Sequence, residues 1–243
     1  MKSFLFTFLI AVFLYTSAFA QDTEKAASYN KFLYYKNKYR VNCADEKITD
    51  NFGNGYGPLY GTRNMRTILF GVAYRGGANN FYHRTNKRNN HNPLPEDGLN
   101  NLLQQGFSTA IYLYATNFAD TKKLFVNKHR DTLVYLQNSG MNRKTLKDIM
   151  LLVKSVIDTS DKGPVYLHCW NGWHQSGYIS AAILMQFCGI TNQQAYDYWI
   201  DNADGINKGF DNVKSLIKNF VPYEDIQISH ELQREICPCL KKK

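Results

Sequence analysis

What the chain lacks narrows it first. Beyond residue 20 no apolar run approaches the roughly 20 residues that a membrane-spanning helix needs, so no membrane span is expected. No internal repeat, low-complexity stretch or second domain stands out. Lysine and arginine form no block except the terminal Lys241, Lys242 and Lys243. With no basic helix, RNP-like aromatic strand or zinc module, nucleic acid is not an expected partner. Acidic residues are in the minority, 20 against 29 basic ones, for a formal charge of +9. Such a surface favours anionic partners, or serves solubility alone.

Cysteine is scarce as well. All five lie beyond residue 20: Cys43, Cys169, Cys188, Cys237 and Cys239. Cys237-Pro238-Cys239 has the wrong spacing for a zinc knuckle, and no histidine pair accompanies it. Neither a metal site nor a cofactor is expected. An odd count leaves at least one free thiol. Cys188 falls in an apolar helical run and reads as a buried, inert thiol. Cys43 could pair with Cys237 or with Cys239, which leaves Cys169 as the natural odd thiol.

The first residues carry a pattern of their own. Lys2, the apolar run Phe4–Tyr15 and Ala18-Phe19-Ala20 read as a secretory signal peptide cut before Gln21, rather than as a membrane anchor. The protein is therefore expected to be exported, periplasmic or secreted, where disulfides can form. The remaining roughly 220 residues suffice for one domain with a sizeable core. They divide into an N-terminal extension (21–66), a catalytic-type domain (67–236) and a short tail (237–243).

Strand and helix signals alternate from Thr67 onward. Thr67–Tyr74 reads as a strand and Asn79–Pro95 as a long polar loop. Asp97–Gln105 is a helix with Gly106 as its stop, Ser108–Tyr114 a strand, and Ala119–Lys128 a short helix. Thr132–Gln137 is a third strand. Leu146, Ile149, Met150, Val153 and Ile157 give Asn142–Ile157 helical spacing. Gly163-Pro164 introduces the strand Val165–His168. Helices follow at Ser176–Phe187, Asn192–Ile200 and Asn212–Phe220. The pattern predicts a single α/β domain, with a central, mostly parallel sheet of four to five strands flanked by helices.

The most informative stretch joins the last strand to its helix: His168, Cys169, Trp170, Asn171, Gly172, Trp173, His174, Gln175, Ser176 and Gly177. A strand that ends in cysteine, a turn that contains glycine and a helix start place backbone N–H groups and a positive helix end around a thiol. Such surroundings stabilise a thiolate and cradle a phosphate. A plain buried cysteine at a strand end is the competing reading.

This stretch resembles the active-site loop of the cysteine-dependent tyrosine and dual-specificity phosphatases: His-Cys, five residues, arginine, then Ser or Thr. Tyr74-Arg75-Gly76-Gly77 is similar to the segment that opens many dual-specificity domains. The resemblance covers most of Thr67–Phe220 and implies a dual-specificity-phosphatase-like fold. It implies Cys169 as nucleophile, with Ser176 assisting departure from sulfur. It also implies substrate contacts from His168, Trp170, Asn171, Gly172, Trp173 and Gln175. The partner it implies is a phosphorylated small molecule, lipid or protein.

Two departures stand out. Gln175 occupies the arginine position and offers no charge and no bidentate fork. Losing a preorganised charged donor costs about 3 kcal/mol of transition-state stabilisation. The loop Asn138–Asn142 has no carboxylate where the family places its general acid, a further factor of about 10²–10⁴. His174 could supply a positive charge, or simply face solvent. Asp201 or Asp204 could serve as acid, or cap the next element. Arg75, Arg84, Lys87 or Arg88 could bring a cation from outside, and Trp170 and Trp173 could stack on a ligand or on the core. The expectation is a phosphatase of weak or atypical activity. The alternative is a pseudo-phosphatase that binds an anion without turnover. Acyl transfer with His168 or His174 as base ranks lower.

Overall fold

The computed structural model describes residues 23–241. The signal-peptide expectation and Lys242–Lys243 lie outside the described residues. Within them, residues 23–39 form helix α1. Then come β1 (Thr62–Leu69), β2 (Ala73–Ala78), α2 (Glu96–Gln104), β3 (Thr109–Tyr112), β4 (Leu124–Val126) and β5 (Thr132–Gln137). The chain continues through α3 (Arg143–Asp158), β6 (Val165–Cys169), α4 (Gln175–Cys188), α5 (Asn192–Asp201), α6 (Asp211–Lys218) and α7 (His230–Ile236).

One sheet of six strands runs in the order β1-β2-β6-β3-β5-β4. Its four inner strands are parallel, and β1 and β4 close the edges antiparallel. Strand alternation sorts the side chains into two layers. Val165 and Leu167 join α3–α7 in one core, together with Met150, Ile183 and Trp199. Tyr166 faces the other side, among Tyr74, Tyr112 and Tyr135, under Leu99 and Leu102 of α2 and Tyr35 and Tyr39 of α1. Residues 23–66 contribute to both layers of the sheet: α1 covers the aromatic face, and β1 begins at Thr62.

Three local expectations change. The apolar run Thr67–Tyr74 is a hairpin rather than one strand. Gly71 takes φ 67°, and Val72 N–H returns to the Leu69 carbonyl at 3.1 Å. Continuous apolarity hid the turn, because both strands are buried throughout. Ala119–Lys128 is no helix. Its Leu124–Val126 pairs with Thr132–Val134 as β4, and Asn127 Oδ1 accepts the amides of His129 and Asp131 to close the turn. That hairpin and β1 bring the strand count to six.

Cys188 is not a free thiol. It ends α4 and is bonded to Cys237 at the end of α7, while Cys43 pairs with Cys239. The partners are 49 and 196 residues apart, so local pattern could not find them. Cys169 is the free cysteine. No helix among the described residues is long and apolar enough to cross a membrane.

Candidate active site

β6 lies in the middle of the sheet, so Cys169 arrives at its carboxyl edge between β2 and β3. The thiol is 4% exposed. The following turn is held from outside by its carbonyls. The Ala78 amide donates to the Trp170 carbonyl at 2.9 Å. Asn64 Nδ2 donates to the carbonyls of Asn171 (3.3 Å) and Gly172 (3.2 Å). The fully buried Arg75 guanidinium donates to the Gly172 carbonyl and, at 3.4 Å, to that of Trp173. In a trans peptide the N–H points opposite to the C=O. Four carbonyls, 170 to 173, tied to β1 and β2 therefore turn the amides of 171 to 174 to the other side of the loop. The N-terminus of α4 adds its own unsatisfied amides from Gln175 onward.

Two glycines let this ring close. Gly172 takes φ 78°. A side chain at Gly77 would sit 2.5 Å from the Trp170 carbonyl oxygen, so β2 and the loop touch backbone to backbone. Asn64 reaches the loop because of a register shift between Arg63 and Arg66, where Asn64 itself takes φ 51°.

Ser176 is buried on the first turn of α4, with Oγ 3.4 Å from Cys169 Sγ. The loop thus brings the Cys169 thiol and the Ser176 hydroxyl together. Gln175 is turned aside: Nε2 donates to the Ser139 carbonyl at 2.7 Å. It ties the loop to the Asn138–Asn142 turn, whose last residue forms the capping box of α3 with Thr145.

His168 touches the strand, not the ligand side. It is completely buried, and burial pushes its pKa down to about 4. Nδ1 lies 3.1 Å from the Cys169 carbonyl, an acceptor only, so Nδ1 carries the proton. Nε2 then accepts from Tyr135 Oη at 2.9 Å, and that hydroxyl in turn accepts the Leu94 amide at 3.0 Å. His168 positions the strand end and has no contact through which to act as base on Cys169. Unfolding releases a histidine of ordinary basicity, near 6.5, which binds a proton the folded form refuses. Its contribution to stability is complete above about pH 6.5 and is lost as pH falls toward 4, about 3 kcal/mol in all. Urea unfolding of the wild type should show this loss, and His168→Gln should remove most of it. Equal acid sensitivity in both proteins would refute the assignment.

His174 is not placed to carry charge. Burial lowers its pKa, and the nearby Arg75 charge adds to this against the Ile206 carbonyl. Its Nε2 donates to that carbonyl, and its ring stacks 3.6 Å from Phe210. It fastens the 203–210 segment. Asp204 does approach the loop, accepting Trp173 Nε1–H at 2.9 Å. Burial raises its pKa, but hydrogen bonds from Asn51 and Lys47 and the charges of Lys47 and Arg66 outweigh this and hold it below the usual carboxylate range. It is an anion, not an acid. Trp170 packs between Tyr114 and His91, at 4.3 and 4.2 Å, and donates to Tyr112 Oη. Both tryptophans are engaged by the protein.

Of the outside cations, Arg75 reaches the loop, but on its carbonyl side. Arg84 and Lys87 lie over Tyr60 and Phe81, and Arg88 binds Asn80 and the Pro93 carbonyl. Sequence reading missed Asn64 and Arg63. The Arg63 guanidinium is 3% exposed, donates to Asn171 Oδ1 at 3.2 Å and lies over Tyr82 and Trp173. Arg63 and Arg75 thus bring buried positive charge to the loop, and the buried Arg66 stands behind them on Asn64 and Asp204. Among the described residues no cluster of three or more metal-ligating side chains forms.

No family model and no curated protein matches this sequence. Several solved structures are similar in part, among them the three that follow. TpbA of P. aeruginosa is 12% identical, with a TM-score of 0.41, over 64% of this chain and 86% of its own. The core catalytic domain of the PP-IP phosphatase SIW14 of S. cerevisiae, in complex with citrate, is 14% identical, with a TM-score of 0.41, over 71% and 90%. Tk-PTP in its active form is 12% identical, with a TM-score of 0.39, over 62% and 94%.

Proposed function

We propose that this chain is a divergent cysteine-dependent phosphatase that takes the phosphoryl group of an exported phosphate ester onto Cys169. One observation carries the reading: four consecutive loop carbonyls are tied to β1 and β2 beside a free thiol, which leaves a ring of amides on the other side of the loop, with Ser176. A pure anion site has no need of that thiol. The Cys169 thiolate attacks phosphorus, the S–P bond forms, and the ester P–O bond breaks with its electron pair on the leaving oxygen. Water then attacks phosphorus, its proton passes to the released phosphate, the S–P bond breaks with its electron pair on sulfur, and Ser176 donates a hydrogen bond to the departing thiolate. The amides hold the phosphoryl oxygens throughout, helped by the buried arginines behind them. Two disulfides support an oxidising compartment. Hydrolysis of an aryl phosphate by the purified protein is expected, and Cys169→Ser should abolish it. Turnover that persists in the serine variant sinks the proposal.

A second reading has its own observation. Gln175 spends its amide on Ser139, so neither clamp nor acid faces the cradle. The same loop would then bind an anion without turnover. Calorimetry with inorganic phosphate separates the two: binding without hydrolysis of any ester favours this second reading.

A further inference from the structure

Beside the loop, at the same edge of the sheet, lies a cleft of about 390 Å³, within the size range of small-ligand sites. Its walls include Leu113, Tyr114, Met141, Phe210 and Val213, and it meets the loop at Gln175 and His174. No lysine, arginine, aspartate or glutamate lines it. Tyr114 ties the cleft to the loop, for its ring stacks 4.3 Å from that of Trp170, the residue after Cys169.

The groups around the cleft also share a property: none has a proton to give readily. His174 already spends Nε2–H on the Ile206 carbonyl, and burial disfavours its second proton. Burial makes Tyr114 a weaker acid than an ordinary phenol. Asp204, on the far side of Trp173, is held below the usual carboxylate range by hydrogen bonds from Asn51 and Lys47 and by the charges of Lys47 and Arg66. The Asn138–Asn142 turn presents amides, a hydroxyl and the Met141 side chain.

We infer that the site serves phosphates whose leaving group departs unprotonated, as a stable anion, and carries an uncharged apolar body that fills this cleft. Acidic phenols and carboxylates, the latter as acyl phosphates, share that chemistry. Polyanionic phosphates do not. The inference rests on the phosphatase reading of the loop. In the step itself the Cys169 sulfur bonds phosphorus while the phenolate or carboxylate leaves with the electron pair of the broken P–O bond. No proton transfer to the leaving oxygen is required. Water then releases phosphate as above.

The test is a leaving-group series with the full mature chain: substituted phenyl phosphates of graded basicity, benzyl phosphate, acetyl phosphate and benzoyl phosphate. The expected result is a fall in kcat/KM of about tenfold per unit of leaving-group basicity, with no turnover of benzyl phosphate. Benzoyl phosphate should exceed acetyl phosphate at least about tenfold, in line with a buried ring. Met141→Asp should bring that ratio close to one. Val213→Thr should lower it too, which guards against unfolding by the charged variant. A flat dependence on leaving-group basicity, a preference for inositol hexakisphosphate, or an unchanged benzoyl-to-acetyl ratio in both variants overturns the inference and leaves the phosphatase reading standing. No hydrolysis of any member, acetyl phosphate included, overturns both.

Discussion

Alanine at position 77 is expected to abolish phosphate binding and to lower folding stability by about 3 kcal/mol. A β-carbon at Gly77 would lie 2.5 Å from the Asn171 carbonyl carbon and the Trp170 oxygen, and 2.6 Å from the Gly172 nitrogen. All three are backbone atoms, so no rotamer change can relieve the clash. Either the end of β2 shifts or the loop lifts. Lifting the loop breaks the Ala78–Trp170 hydrogen bond and draws Asn64 and Arg75 off their carbonyls. The overpacking alone costs about 1–3 kcal/mol, and each lost hydrogen bond adds about 1. Gly57→Ala is the control. It lies in a short 3₁₀ turn with open space around its added methyl, and it should fall within about 0.5 kcal/mol of wild type. Urea unfolding and phosphate calorimetry on the two variants decide the matter. If Gly77→Ala matches the control in both, the backbone contact described here does not shape the loop.

That contact shows where the sequence was legible and where it was not. The β6–loop–α4 unit is local. Cysteine, glycine and serine at fixed spacing announce a thiol, a close turn and a helix start before any fold is known, and the structure has Cys169 at the strand end, Gly172 at positive φ and Ser176 in the first turn of α4. What holds the loop from outside is not local. Asn64 and Arg63 come from an edge strand, more than a hundred residues earlier, and a bulge there breaks the alternation that would have marked it as a strand. The burial of Arg63, Arg66 and Arg75 runs against composition rules, under which arginine is seldom fully buried. Only the carbonyls and rings around them make it affordable. The aromatic face under α1 was hidden for a related reason. Tyr112, Tyr135 and Tyr166 read separately as ordinary strand residues, and strand order alone stacks them around His168.

Gln175→Arg is expected to raise kcat/KM for an aryl phosphate at least about a hundredfold, close to 3 kcal/mol of transition-state stabilisation. Gln175 opens α4 directly after the amide ring and is 6% exposed. An arginine there starts from the position at which the resemblance implies a phosphoryl clamp. It gives up the Ser139 carbonyl, a loss of about 1 kcal/mol of stability. In exchange it directs a planar fork of charged donors at oxygens whose negative charge grows during transfer. The cradle, nucleophile and Ser176 need no change, because the outward carbonyl ties do not involve the Gln175 side chain. The slope of rate against leaving-group basicity should remain steep, since a guanidinium neutralises charge but does not deliver a proton. Rate and slope therefore report on different missing parts. A variant that binds phosphate more tightly yet turns over no faster would show that the cradle does not enclose a transition state, and would favour anion binding as the purpose of the loop. A faster variant with a flattened slope would reveal a proton donor among the groups facing the cleft, which are assigned none here.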